Sequence, residues 1–384
     1  MKDLKAFSKK DALDGMAKES WIQFVMDIIG LSKRRTYTRS LFSVTSIFLH
    51  VSFAYSASAI VISEDSIYIK RTLVDIMACS FSVILWHQIQ LHSKKFRVFY
   101  SNLKSCPRNL FLFDRHEKGV IKMIVLLSFL FPIITALTII SEFIPYWSEN
   151  YIKFWLLGYS VSDNRPLQMV MVFICMLMYF SSRFLLQSLS VTISSVFSYK
   201  LSKAIRMQNK LLKDSINRDC FHQELNFYNH IIKCCKRFEN FNNGTALLLI
   251  FVCCGELYAG LGIALDETQP TPKHIVPVEA TFTIAICIIS VFSFLTVASK
   301  VPSAMTETRT IFQEIYQQTL FKRIYNSNEE LLILKSLGET EPFYFTAGEF
   351  FRLDKGLILS FFGTVLTFCI LIMQLKRVDL ESMN

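Results

Sequence analysis

The chain reads as an all-α polytopic membrane protein with seven transmembrane helices, its amino terminus cytosolic, its carboxyl terminus extracellular, and long helices extending into a cytosolic anchor domain. Three observations predict this. Of 384 residues, 52% are hydrophobic and 14% aromatic, with 35 Phe, far more apolar matter than a soluble domain needs. Seven segments are apolar over a length that suits a bilayer, whose hydrocarbon takes about 20 helical residues to cross. The basic residues divide unevenly between alternate connections, which orients the spans.

Residues 1–39 are polar and charged, without the short apolar core and small-residue cleavage site of a signal peptide, and are expected to form a cytosolic amino-terminal segment. Spans one to six occupy residues 40–299, at 40–62, 72–91, 121–140, 167–193, 244–265 and 278–299, with 92–120 and 198–243 as cytosolic connections. Residues 300–355 form a cytosolic helical anchor segment, 356–375 the seventh span, and 376–384 an extracellular tail. The connections assigned to the cytosol, with Lys122, carry 33 of the 41 Lys and Arg; the alternate set carries 7, and Arg183 lies inside a span. Only cytosolic loops gather basic charge in this way. The topology is inverted relative to G-protein-coupled receptors, and Asp114-Arg115-His116 precedes the third span where their ionic-lock triplet follows it. It reads as a solvated loop end.

The ten cysteines fall in spans or in cytosolic segments, so no disulfide framework is expected. The adjacent pairs Cys234-Cys235 and Cys253-Cys254 lack metal-ligand spacing, and no metal or cofactor is expected; burial is the preferred reading of both. The sequon Asn243-Gly244-Thr245 lies at the cytosolic mouth of span five, out of reach of glycosylation. Between spans four and five, Phe221, Leu225, Tyr228, Ile232 and Cys235 recur at 4, 3, 4 and 3, a heptad-like seam. A helix over 306–325, with Ile311, Ile315, Leu320 and Ile324 as core positions, lies between Pro302 and Pro342. These helices either pack as a compact domain beneath the membrane or lie on the inner leaflet.

The last span carries polar side chains in a line. Ser360, Thr364, Thr367, Leu371 and Gln374 are spaced 4, 3, 4 and 3 apart, so one helical face holds all five. Polar atoms facing lipid are costly, so this face looks onto protein or water, as a pore lining does when several copies surround an axis. Two further charges lie within spans, Arg183 in the fourth and Glu256 in the fifth. Either alone is expensive in hydrocarbon; they pair with each other, or each faces a wet cavity.

Residues 345–357 read Phe-Thr-Ala-Gly-Glu-Phe-Phe-Arg-Leu-Asp-Lys-Gly-Leu, and the final span closes on Thr367-Phe368-Cys369-Ile370-Leu371-Ile372-Met373-Gln374-Leu375. This resembles the carboxyl-terminal signature of invertebrate gustatory receptors, a seven-transmembrane chemoreceptor family related to insect odorant receptors. The match rests on Phe350, Phe351, Leu353, Asp354, Thr367, Phe368, Gln374 and Leu375, with Phe368 standing for the family's Tyr and Leu375 for its Phe.

The resemblance implies a gustatory receptor: a ligand-gated, non-selective cation channel opened by a small-molecule tastant, multi-pass in the plasma membrane of chemosensory neuron dendrites. It further implies a homo- or hetero-tetramer with other gustatory receptor subunits, in contact with membrane lipid and not with nucleic acid, whose last helices line the pore. Leu371 and Gln374 are then the gate, with Leu371 otherwise a residue packed between helices. The pocket is placed among spans two to six, with Glu256 and Tyr258 as a candidate wall and Phe81, Thr135, Thr138, Gln168, Phe173, Phe282 and Ile286 as further lining, or as ordinary core.

The sequence holds no H-E-x-x-H, G-x-S-x-G or nucleotide-binding glycine loop, and no enzyme is expected. The competing readings are a transporter, which the odd span count and few glycines disfavour, and a non-conducting membrane scaffold subunit.

Overall fold

The computed structural model describes residues 20–31, 36–62, 66–104, 114–143, 152, 155–156, 164–215, 221–265, 275–322 and 328–382. Its helices are α1 (Ser20–Ile28), α2 (Thr36–Ile62), α3 (Ser66–Lys104), α4 (Arg115–Phe143), α5 (Arg165–Phe180), α6 (Leu186–Ser215), α7 (Phe221–Leu265), α8 (Ile275–Ala298), α9 (Lys300–Lys322), α10 (Asn328–Glu339) and α11 (Lys355–Ser382). A π-helical turn, Ser181–Leu185, joins α5 to α6 without a break. Among the described residues, four helices are long and apolar enough to cross a membrane, at Arg115–Ser141, Arg165–Asp214, His222–Leu261 and Val278–Phe321, and Lys355–Leu371 is a shorter apolar one. They carry the predicted spans three to seven. Spans one and two fall on α2 and α3, of 27 and 39 residues.

Several helices run well past the length a bilayer needs. At 1.5 Å per residue, the 45 residues of α7 extend about 68 Å, more than twice the hydrocarbon thickness. The excess of α3, α6, α7 and α9 gathers at the end of the bundle that holds the basic segments. There Phe96, Phe99, Phe197, Phe238 and Phe241 are all buried and meet ring to ring, the centroids of Phe96 and Phe241 being 4.8 Å apart. Beyond the spans, where water is the alternative environment, burying one such Phe is worth roughly 1.5–3 kcal/mol. A second apolar knot, Leu212, Ile311, Phe312, Ile315 and Leu334, with Leu225 and Tyr228 against it, joins α6, α7, α9 and α10. The helices of the anchor segment therefore pack against one another.

Several details differ from the expectations. The seam on α7 is broader than expected and offset by about one residue: Cys235 is buried, but so are Phe227, Ile231, Cys234 and Phe238, while Leu225, Tyr228 and Ile232 are half-buried and the Phe221 side chain lies outside the described residues, because α7 is gripped by α3, α6 and α8 together and not by one partner at a narrow seam. On α9, Ile311 and Ile315 are buried but Leu320 is 50% exposed, because the buried face steps through 311, 315 and the buried Thr319 and Leu320 lies about 100° round the helix from it; Ile324 lies outside the described residues. The α9 helix starts at Lys300 and takes Pro302 into its first turn, where the missing N–H costs nothing. Residues 300–355 also contain a small antiparallel ribbon, Thr346–Ala347 with Phe351–Arg352. The amino-terminal segment contributes α1, whose Ile22, Val25 and Met26 are buried in the main core, with Lys122 5.7 Å over the Trp21 ring.

Asp114 begins α4 and is not merely solvated: it accepts from Lys203 Nζ at 2.7 Å, and Glu117 accepts from Lys203 at 2.8 Å and also from Lys200. Burial alone would raise the Glu117 carboxyl, but the two ammonium groups overcome it and hold it at about 2. Of the cysteines, Cys79, Cys234, Cys235, Cys253 and Cys287 are buried, while Cys175, Cys254 and Cys369 are half-buried. Cys106 and Cys220 lie outside the described residues.

Candidate functional site

The ribbon and the start of α11 form one device. Residues 348 and 349 both have positive φ, 63° and 65°, and the turn is held on α7 by Asn243. Its carbonyl accepts from Gly348 N at 3.2 Å, and its Oδ1 accepts from Glu349 N at 3.0 Å. Thr346 Oγ1 donates to Glu239 at 2.9 Å. Leu353 then enters the core, fully buried, and Asp354 Oδ1 accepts from Leu357 N at 3.0 Å, the capping bond that starts a helix. Of the signature residues, Leu353 and Asp354 thus anchor and begin α11, while Phe350 and Phe351 are 82% and 44% exposed.

The α11 helix is packed on one side only. Leu357, Ile358, Phe361, Phe362 and Val365 face the main core, and the Phe368 ring meets Tyr258 with centroids 4.2 Å apart. On the other side Ser360, Thr364, Thr367, Leu371 and Gln374 are all exposed in the single chain. Thr364 Oγ1 donates to Ser360 O and Thr367 Oγ1 to Gly363 O, each at 2.9 Å. With those hydrogens spent on the backbone, what the threonines present outward is oxygen lone pairs. The Leu375 side chain lies outside the described residues.

Arg183 and Glu256 meet. Arg183 Nε donates to the two Glu256 oxygens at 2.8 and 3.0 Å, Nη2 adds a further bond to the same carboxylate, and Nη1 reaches Tyr179 Oη. Their exposures are 1% and 0%. Arg183 sits in the π-helical turn, whose extra residue per turn rotates the side chain out of α-helical register toward α7. Its guanidinium carbon also lies 4.8 Å from the Tyr179 ring centroid. Beside the pair, Gln187 Nε2 donates to Cys253 Sγ at 2.9 Å.

A separate apolar cluster lies beyond that pair, toward the end opposite the basic segments. Ala136, Ile139, Val172, Met176, Tyr179, Phe180 and Phe184 form it, and Phe173 and Ile286 pack against it. Phe282 reaches it through Phe131, 5.5 Å ring to ring, and Thr135, buried, donates to Phe131 O at 3.0 Å. Phe173, Ile286, Phe282 and Thr135 are thus brought together. Glu256 borders the group through Arg183 and Tyr179. Thr138 bonds back to its own helix, Gln168 is half-buried in the first turn of α5, and Phe81 faces α7 near Gly255. Tyr258 is on the other side of α7 from Glu256: two residues advance a helix by about 200°, and its ring contacts α11, not this cluster.

The sequence reading missed Ile152, Trp155 and Leu156, which lie between α4 and α5 in the chain and close the cluster. Trp155 O accepts from Tyr55 Oη at 2.6 Å, and its ring meets Tyr179 edge-on at 5.5 Å. In the run Tyr151-Ile152-Lys153-Phe154-Trp155-Leu156 apolar side chains are too closely spaced to show a helical period, so the sequence does not tell which of them turn inward.

No family model and no curated protein sequence matches the chain. Solved structures do, two of one receptor among them. The insect olfactory receptor OR5 from Machilis hrabei in complex with eugenol superposes with a TM-score of 0.62 at 12% identity, covering 94% of this chain and 100% of that one. A second structure of that receptor gives 0.64 at 11% identity over the same extents. The likeness is one of fold, end to end: this chain is built on the architecture of an insect olfactory receptor.

Proposed function

We propose that the protein is a chemoreceptor channel of the gustatory type, a tetramer opened by a small-molecule tastant, in which four copies of α11 line a cation pathway. The observation that carries this reading is the one-sided packing of α11. Its Ser360, Thr364, Thr367, Leu371 and Gln374 face has no packing partner among the described residues, and lipid is a poor partner for hydroxyls and amides. Four copies around an axis give that face water and ions. The outward lone pairs of Thr364 and Thr367 suit cations, and the stripe has no carboxylate to select among them.

In this reading the basic end of the bundle is cytosolic, Gln374 lies toward the outside, and Leu371 is the constriction, a ring of four Leu that closes a narrow pore by dewetting. The tastant occupies the region of Phe173, Phe282, Ile286 and Thr135, an aromatic wall with few polar groups. The eugenol-bound olfactory receptor of the same fold supports a small organic ligand.

Patch-clamp recording from cells expressing the chain tests the reading. Ligand-evoked cation current is expected, and Leu371→Ser is expected to add ligand-independent leak. Uptake without current supports a transporter instead, and unchanged conductance in Leu371→Ser overturns the gate.

A further inference from the structure

The foot of α4 carries three basic side chains that no part of the site above uses. Arg115, Lys118 and Lys122 are spaced 3 and 4 apart, so they share one face of the helix. Arg115 and Lys122 are exposed and Lys118 is half-buried. The acids of the same turn are committed elsewhere: Asp114 and Glu117 face α6, where Lys203 and Lys200 hold them. None of the three cations bonds a carboxylate among the described residues. Further up, the same face continues through Leu126, Leu130 and Leu137, which are 47%, 38% and 52% exposed and which a spanning helix turns to lipid.

The three stand at the depth of lipid headgroups. Ile121 opens the apolar run; Lys122 is one residue inside it, and Lys118 and Arg115 lie about 5 and 9 Å outside along the axis. The polar zone on each side of the hydrocarbon is about 5–8 Å deep, and Lys and Arg side chains are long enough to reach back into it. Trp21 of α1 walls one side, with Lys122 Nζ 5.7 Å from its ring centroid, and Trp is a residue that settles at this depth. Phe24 meets Phe129 at 6.2 Å, so α1 runs along the edge of the basic face. A general bias of cytosolic connections toward basic charge is met by Lys and Arg anywhere in them. Here the cations stand on the one face that leads into lipid. We propose that Arg115, Lys118 and Lys122 bind the headgroup of an anionic phospholipid of the inner leaflet, whose acyl chains lie along Leu126 and Leu130. Charge decides the partner. A choline headgroup sets a cation of like sign beside its phosphate, whereas three cations within about 11 Å of helix complement a headgroup of several negative charges, as in an inositol phospholipid with phosphomonoesters. The inner-leaflet placement rests on the topology proposed above.

Native mass spectrometry of the purified full chain in micelles, titrated with phosphatidylcholine, phosphatidylserine or phosphatidylinositol 4,5-bisphosphate, counts bound lipids and tests the assignment. The inositol lipid is expected to bind tightest, phosphatidylserine next and phosphatidylcholine least. Arg115→Gln, Lys118→Gln and Lys122→Gln should each weaken binding of the inositol lipid about fivefold, and the three together about a hundredfold, as roughly 1 kcal/mol per charge gives. Lys118→Arg with Lys122→Arg keeps the charge and should keep the affinity. A charge-matched control removes three exposed cations of α6, Arg206→Gln, Lys210→Gln and Lys213→Gln, which lie about 20–30 Å beyond the end of span four, and should leave the affinity unchanged. Equal affinity for the three lipids, or equal weakening in the control, overturns the proposal. An amino-terminal epitope tag that antibody reaches on unpermeabilised cells places this end outside and overturns the inner-leaflet assignment. Lipid binding is read without current, so a chain that binds the inositol lipid and passes no current fails as a channel only.

Discussion

Replacing Glu256 with Gln keeps the volume of the side chain and removes only its charge, taking from the Arg183 guanidinium, buried at 1% exposure, the carboxylate that binds it. Two unit charges about 4 Å apart attract by about 4 kcal/mol at an effective dielectric of 20, and breaking a buried pair by removing one partner costs roughly 3–5 kcal/mol. The expected loss for Glu256→Gln or Arg183→Met is therefore about 100- to 5,000-fold in the folding equilibrium. Replacing both at once, with Met and Leu, removes the desolvation of the charges together with their attraction and should return to within about 1–2 kcal/mol of the parent. Reversible unfolding in mixed micelles, scored as a double-mutant cycle, measures all three. Single losses below about 1 kcal/mol would mean that water reaches the orphaned charge, as in a wet cavity. Strictly additive losses in the double variant would show that the two groups do not act as a pair, and either result refutes the reasoning.

Three further outcomes are expected. In a cycle of Tyr258→Ala and Phe368→Ala, the coupling should be about 0.5–1.5 kcal/mol, read as a roughly 2- to 12-fold interaction in half-activating ligand concentration; independent effects would leave the two rings as unrelated packing. Gly348→Ala should destabilise by about 1–2 kcal/mol for its positive φ alone, and more because an added Cβ would meet Leu247 Cδ2 at 2.5 Å; an unfolding midpoint equal to the parent's would refute the constraint. Glu117, held at about 2, below the ordinary carboxylate value of 4.5, contributes stability that is complete above about pH 4.5 and is lost as pH falls toward 2. The acid limb of the unfolding midpoint should accordingly flatten in Glu117→Gln, and an unchanged limb would remove Lys200 and Lys203 from the account.

What the sequence disclosed depended on whether the information was local. The seven apolar segments and the α11 stripe were legible because hydropathy and helical period are read within one window. Side chains on different helices were not so placed. Arg183 and Glu256 are 73 residues apart, and their pairing hangs on a π-helical turn that no periodicity announces. Glu256 and Tyr258 looked like one wall because they are adjacent in sequence, yet a two-residue step turns a helix by about 200° and puts them on opposite faces. The ribbon around Gly348 was passed over since two residues per strand leave no alternation to detect. Its footing, Asn243, had been noticed only as part of a sequon.

Those opposite faces give α7 a particular place in the mechanism proposed above. One face bonds Arg183 at the border of the apolar cluster, and the other bears Tyr258 on Phe368 of α11. Further along the same helix, Asn243 holds the turn that leads into α11. A shift of α7 caused by a ligand in the cluster must therefore be felt by α11 at two points, roughly 22 Å apart for the 15 residues between Asn243 and Tyr258. Two contacts on one rigid helix resist simple tilting of α11 about either of them, so the motion transmitted is a translation or rotation of the whole helix. Leu371, three residues beyond Phe368 on the exposed face, lies less than one turn from the upper contact and would move with it. Loosening the lower contact with Asn243→Ala should then separate the two: ligand affinity at the cluster is kept while the fraction of channels opened at saturation falls. A variant in which both fall together would place Asn243 in folding alone.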